Sequence, residues 1–223
     1  MTKELIMFLE KPYYQILDFP YHAMQRLELI GRVCYKSEDK INIGTAEHFL
    51  ENIIKKGHES VIEHCYATVK LICDRGVSHE LVRHRLASYS QESTRYCNYS
   101  GGITFIIPPW LDIEPGELKD KEAIATRYLL KDESVWLLAM LRAEEYYLHF
   151  LKHGWSPEKA RSVLPNALKT EIVITANLRE WRHIFKLRCS KRAHPQMREI
   201  MIPLRNQFNL ILPIIFPIEE KRE

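Results

Sequence analysis

From Glu80 to Tyr96 the chain reads ELVRHRLASYSQESTRY. Arg83, His84 and Arg85 are three consecutive cationic or titratable side chains. Ser88, Ser90, Gln91, Ser93 and Arg95 follow, with no aliphatic residue beyond Ala87. Hydroxyls and arginines at this density suit phosphate oxygens, which accept hydrogen bonds from both. A basic triplet at a helix end also suits a solvated face favoured by the helix dipole, so both readings stand on these residues alone. A second block, Ala176–Gln196, reads ANLREWRHIFKLRCSKRAHPQ. Arg188 falls seven residues after Trp181, on the apolar side of a helix, where an arginine needs an anion, several acceptors or a route to water. A third block, GHESVIEH at Gly57–His64, has two histidines and two glutamates but no helical HExxH spacing. No metal site is expected there.

The elements that must position these residues follow from periodicity and punctuation. Ile6–Leu9 predicts a short strand and His22–Tyr35 a helix. Thr45 is expected to cap a helix carrying Phe49, Leu50, Ile53 and Ile54 that ends at Gly57. Cys65 to Cys73 alternates with period two, as a strand does. A helix is expected from Val77 to Leu86, with the basic triplet at its end and Glu80 on the same face as Arg83 and His84. Ile103–Ile107 predicts a strand stopped by Pro108 and Pro109, and Leu111–Lys121 an acidic loop. A long helix is expected at Glu133–Lys152, then a helix opened by Ser156 and Pro157 and closed by Pro165. Glu171–Asn177 alternates. Asn177 and Glu180 have capping-box spacing ahead of a helix to Cys189, and Pro195–Leu212 predicts the last helix. The fold class is α/β of the α+β type: a mainly antiparallel sheet flanked by helices in a single domain, 1–223.

Composition narrows the function classes. The chain has 223 residues, 46% hydrophobic and 27% charged, with a formal charge of +3. That charge is too small for binding along nucleic acid, and no RRM or KH pattern is present. A noncatalytic nucleotide- or RNA-binding protein is therefore the weaker alternative. No apolar run reaches the roughly 20 residues a membrane span needs, and no secretory leader is legible, so a cytoplasmic protein is expected. Five cysteines form no CxxC pair and predict reduced, mostly buried thiols. No Ser–His–Asp arrangement is legible around Ser93.

With these residues in view, the chain resembles the flavin-dependent thymidylate synthases. Arg83-His84-Arg85 followed by Ser88, Ser93, Arg95 and Tyr96 is similar to that family's signature, and further blocks match it in order from Cys34 to Gln196. The resemblance implies reductive methylation of dUMP to dTMP, with FAD as hydride carrier, methylenetetrahydrofolate as carbon donor and NADPH as reductant. No enzyme nucleophile is expected. It implies dUMP ligands at Glu80, Leu81, Val82, Arg83, Gln91, Glu92, Ser93, Thr94, Arg95, Arg161 and Arg188. Arg188 is implied as the catalytic residue, held against the uracil ring. FAD ligands are implied at Ser60, Arg83, His84, Arg85, Gln91, Asn177, Arg179 and His183. His194 and Gln196 match a histidine and a glutamine seen after the Arg188 position. Active sites shared across a homotetramer are also implied, with no nucleic-acid or membrane partner.

Overall fold

A computed structural model describes residues 7–118 and 131–218. Along the chain the elements are β1 (Met7–Glu10), β2 (Tyr13–Asp18), α1 (Ala23–Val33), α2 (Thr45–Lys55), β3 (Tyr66–Asp74) and α3 (Arg75–Leu81). Then come β4 (Ala87–Gln91), β5 (Thr104–Ile106), β6 (Gly116–Leu118), α4 (Asp132–Lys152), α5 (Pro157–Ala160), β7 (Lys169–Asn177), α6 (Leu178–Arg188) and α7 (Pro195–Ile211). Short 3-10 turns occupy Glu38–Lys40, Glu59–His64 and Arg161–Val163. The residues group into two compact units. One contains Met1–Tyr13, Leu71–Val82 and Ser90–Ile172; the other contains Tyr14–Lys70, Arg83–Tyr89 and Val173–Glu223.

In the first unit β1 is the centre of a three-stranded sheet ordered β5-β1-β6. Its pairing with β6 is antiparallel, but its pairing with β5 is parallel, placing Phe8 opposite Thr104. Met7, Leu9, Ile103, Phe105 and Ile107 bury themselves with Leu137, Met140, Leu141 and Tyr147 of α4. Those four α4 positions recur at helical spacing, the stripe a core-facing helix needs. Glu144 sits on the same buried stripe because it has work there: its carboxylate accepts the Ile103 backbone N–H at 2.9 Å.

A four-stranded sheet is ordered β2-β3-β7-β4. In the second unit the Thr68 and Thr175 hydroxyls meet at 3.0 Å, and Leu178 N–H donates to the Cys65 carbonyl at 2.9 Å. Numbers rise along β3 as they fall along β7, so that pair is antiparallel. Alternate residues of β7 are buried, which is what its alternating sequence demanded. Trp181 of α6 is fully buried and donates its indole N–H to the Ala67 carbonyl at 3.0 Å. Phe19, Trp181, Phe185 and Phe216 pack around Phe208 with ring centroids 4.9 to 5.2 Å from it. This aromatic core fixes α6.

Several expectations need correction. Helix α3 ends at Leu81, five residues short of Leu86, so Arg83, His84 and Arg85 lie in the turn that follows it. The helical spacing invoked between Glu80 and those residues therefore does not apply. Ala87–Gln91, to which no element was assigned, is strand β4, and β6 forms inside the expected acidic loop. Gly44, not Thr45, occupies the cap of α2, with φ of 83°. Glycine is favoured in that conformation. The Thr45 hydroxyl instead donates to the Glu28 carboxylate at 3.0 Å. Ser156 stands at the cap of α5 without a side-chain capping bond. Cys65 and Cys73 are buried, whereas Cys34 is exposed and Cys97 and Cys189 are half-buried. Ile6 and Lys119–Lys121 lie outside the described residues, in which no helix is long and apolar enough to cross a membrane.

Candidate active site

The first unit holds a cationic cleft of about 500 Å³. Its polar lining comes from Arg75, His79, Thr94, Glu158, Arg161 and Ser162. Thr94 is buried, and its hydroxyl accepts Arg161 Nη1 at 3.0 Å, so the exposed guanidinium is tethered at one amino group. Arg95 is paired with Glu158 at 3.0 Å. Both are about half exposed, and such a pair is weak enough to open for a competing anion. The Ser93 hydroxyl accepts the Arg95 N–H at 3.3 Å, and its carbonyl accepts from Tyr96 and Cys97 N–H, which closes the Ser93–Cys97 turn. Two arginines, a histidine and two hydroxyls around one cleft match the donor set of a phosphate monoester site.

Arg75 and His79 were not anticipated. The signal was available: they are four apart in DRGVSHE, hence neighbours on one helical face. Asp74 caps α3 by accepting the Val77 N–H at 2.9 Å, which starts the helix at Arg75. Two expected ligands have structural partners here. The Gln91 amide donates to the Ser78 and Thr170 hydroxyls at 2.9 and 3.1 Å, and Glu92 accepts the Tyr99 hydroxyl at 2.5 Å. Burial, then that bond to Glu92, pushes the Tyr99 phenol well above its ordinary value. Leu81 is fully buried, which leaves its backbone as the part able to meet a ligand, whereas Val82 is exposed.

The second unit builds a different constellation. Asn177 caps α6 by accepting the Glu180 N–H at 2.8 Å, half of the expected capping box. The Glu180 carboxylate points to His84, with Oε1 3.3 Å from Nδ1. On the other side of that ring, Arg188 Nε donates to His84 Nε2 at 2.9 Å. The Tyr89 hydroxyl donates to the His84 carbonyl at 2.8 Å, pinning the turn between α3 and β4. His84 and Glu180 are buried, Arg188 is half-buried, and His183 is exposed with its ring edge-on to His84. Burial, then the neighbouring Arg188 and His183, lowers the His84 pKa to about 4. Burial raises that of Glu180.

His84, Glu180 and His183 could bring three ligand atoms within 4.8 Å of one another. The Arg188 N–H occupies the His84 Nε2 lone pair, and the cationic guanidinium opposes a second cation at that spot. The Arg188 contact therefore argues against a metal ion at His84.

Arg83, Arg85 and Ser60 are exposed. Arg179 is also about half exposed, but it bonds Glu63, and Glu59 lies 3.7 Å away. Arg182 takes the other Glu59 oxygen at 3.1 Å. These pairs fasten the Glu59–His64 turn, and with it Ser60, to α6. His194 is the cap residue of α7 and Gln196 lies in its first turn.

Neutral buried His84 has a consequence for stability. The native state resists a proton that the unfolded chain accepts near pH 6.5, so its contribution is full above pH 6.5 and is lost as pH falls toward 4. Across that window the loss is expected to be about 3 kcal/mol. Urea midpoints at pH 7 and pH 4.5 should diverge less in His84→Gln than in the parent. Equal divergence in both proteins would show that His84 is not the titrating group.

The Thymidylate synthase complementing protein family model matches residues 15–214. Flavin-dependent thymidylate synthase of Geobacter sulfurreducens is 35% identical over 196 residues, covering 84% of this chain and 78% of that one. The enzyme of that name from Mycobacterium tuberculosis is 35% identical over 197 residues, covering 85% and 77%. Among solved structures, the UMP/dUMP methylase PolB from Streptomyces cacaoi, bound with 5-Br dUMP, superposes with a TM-score of 0.73. It is 21% identical, with 94% of this chain and 95% of that chain covered, a likeness of fold. A family model over most of the chain, relatives above 30% identity and ordered site motifs agree, and the chain belongs to the flavin-dependent thymidylate synthase family.

Proposed function

We propose that this protein methylates dUMP reductively to dTMP, consuming methylenetetrahydrofolate and NADPH and releasing tetrahydrofolate and NADP. The observation that carries the reading is Arg188, a half-buried guanidinium whose Nε donates to a neutral histidine. A guanidinium oriented through Nε can present its terminal amino groups to a ligand. Placed against the uracil carbonyl and N3, it stabilises the negative charge that develops when C5 becomes nucleophilic.

Binding follows the two donor sets. The cleft of Arg75, His79, Thr94 and Arg161 takes the dUMP phosphate, with Arg95 and the Ser93 turn at its edge. A phosphate held there converts remote binding energy into orientation of the ring. Arg83 and Arg85, with Ser88, Ser90, His183 and the Ser60 turn, supply exposed cations and hydroxyls suited to the FAD diphosphate. The bound flavin supplies the two electrons that turn a methylene into a methyl group. Arg188 of the second unit orients and polarises a pyrimidine, and the cleft of the first unit holds a nucleotide phosphate. The family model spans residues of both units, which supports treating 1–223 as one domain. Active sites shared within a cytoplasmic homotetramer complete the proposal.

The test is release of tritium from dUMP labelled at C5, with FAD, methylenetetrahydrofolate and NADPH supplied together and each omitted in turn. Product dTMP is expected only when all are present, and UMP serves as the competing pyrimidine. An FAD-loaded, folded protein that forms no dTMP with either nicotinamide reductant would overturn the assignment.

A further inference from the structure

We propose that Glu180 and His84 form a positioning relay for Arg188, in which Glu180 fixes one neutral tautomer of His84 and that ring fixes the guanidinium. The inference rests on Arg188 being the arginine that meets the pyrimidine, and it adds two residues that set its geometry.

The hydrogen-bond bookkeeping around the ring permits one arrangement. Arg188 Nε always carries a proton, because arginine does not deprotonate in proteins. At 2.9 Å from that nitrogen, His84 Nε2 must be the acceptor and therefore bare. The ring proton then sits on Nδ1, 3.3 Å from the Glu180 carboxylate oxygen, which can only accept when ionised. An imidazolium would turn an N–H toward the guanidinium and bring two cations together. The Nε2–H tautomer would meet Arg188 donor to donor and leave two acceptors facing at Glu180. Burial, Arg188 and His183 act in the same direction by disfavouring the imidazolium.

Two features of the chain make the relay rigid. Glu180 and Arg188 lie on the same helix, α6, whose cap and aromatic core hold it in place. His84 is anchored through its own carbonyl by Tyr89. Which ring nitrogen carries the proton is set by the bond that the other makes, so Glu180 acts on Arg188 through the imidazole. Glu180 is thus a positioning residue whose carboxylate stands one imidazole away from the guanidinium.

The relay is testable by nitrogen NMR of FAD-loaded protein, labelled with 15N-histidine, in the presence of dUMP. His84→Gln identifies the resonances by removing them. At pH 7 His84 is expected to be neutral and protonated at Nδ1. Glu180→Leu should shift it toward the Nε2–H tautomer and lower kcat about tenfold, with a smaller change in KM for dUMP. Glu180→Gln, whose amide oxygen can still accept, should restore the Nδ1–H tautomer and most of the rate. An imidazolium or an Nε2–H ring in the parent protein would overturn the relay, as would Glu180→Leu with unchanged tautomer and kcat. The tautomer is read without turnover, so loss of the dUMP assignment would leave that result standing and the two failures can be told apart.

Discussion

Arg188→Ala is expected to lower kcat for dTMP formation by about 10²–10³-fold, the loss typical of removing a principal donor to a developing oxyanion. The size follows from how the side chain is held. It ends a helix whose first turn is capped by Asn177 and whose middle is locked by Trp181 in the aromatic core. His84 then fixes its Nε. A group preorganised in this way needs no reorganisation when charge appears on the pyrimidine, so most of its effect is expected in kcat and less in KM. Arg188→Lys should recover little, because an ammonium replaces a planar fork by a point charge and loses the geometry imposed through Nε. Tritium release from C5-labelled dUMP, compared at equal FAD occupancy by visible absorbance, reads the effect. Turnover of Arg188→Ala within threefold of the parent would remove Arg188 from the chemistry.

Arg188 was legible in the sequence for a physical reason: an arginine on the stripe of Leu178, Trp181, Ile184 and Phe185 requires a partner. Its partner was not legible. His84 is more than a hundred residues away, and nothing in RHR distinguishes a histidine that accepts from one that contacts a phosphate. Glu180 was assigned to the capping box, whose backbone half exists, while its carboxylate serves His84. Local spacing constrains backbone well, but side-chain partners across the fold only weakly. Arg75 and His79 were missed differently: their four-residue spacing was visible, yet the helix was expected to start only at Val77, which left Arg75 outside it.

The same distinction runs through the fold. Strands β3 and β7 announced themselves because one face of each is buried and its residues are aliphatic at every second position. Strand β4 has the same alternation of exposure, but its residues are Ala, Ser, Tyr, Ser and Gln, which carry no hydrophobic period. Helix α3 was overrun because no glycine or proline ends it; Val82, at its C-cap, still has helical dihedrals. The parallel pairing of β1 with β5 joins segments about a hundred residues apart, and no local pattern encodes such a partner.

Arg161→Ala is expected to raise KM for dUMP about 10- to 100-fold, since hydrogen bonds to a charged group contribute about 1.5–3 kcal/mol each. The cost should fall on binding and orientation and leave the fold intact, because Arg161 is exposed and its Nη1 donates to the Thr94 hydroxyl. Remote anchoring energy is also spent on aligning the pyrimidine, so a smaller fall in kcat should accompany the change in KM. Deoxyuridine supplies the decisive comparison. It lacks the phosphate, so parent and Arg161→Ala should turn it over equally poorly if the cleft of Arg75, His79, Thr94 and Arg161 is the phosphate site. A defect of equal size on dUMP and deoxyuridine would instead make Arg161 a residue of the pyrimidine site or of the fold. An unchanged KM for dUMP would place the phosphate elsewhere. Raising ionic strength should weaken dUMP binding more in the parent than in the variant, because the variant has already lost one of the charges that salt screens.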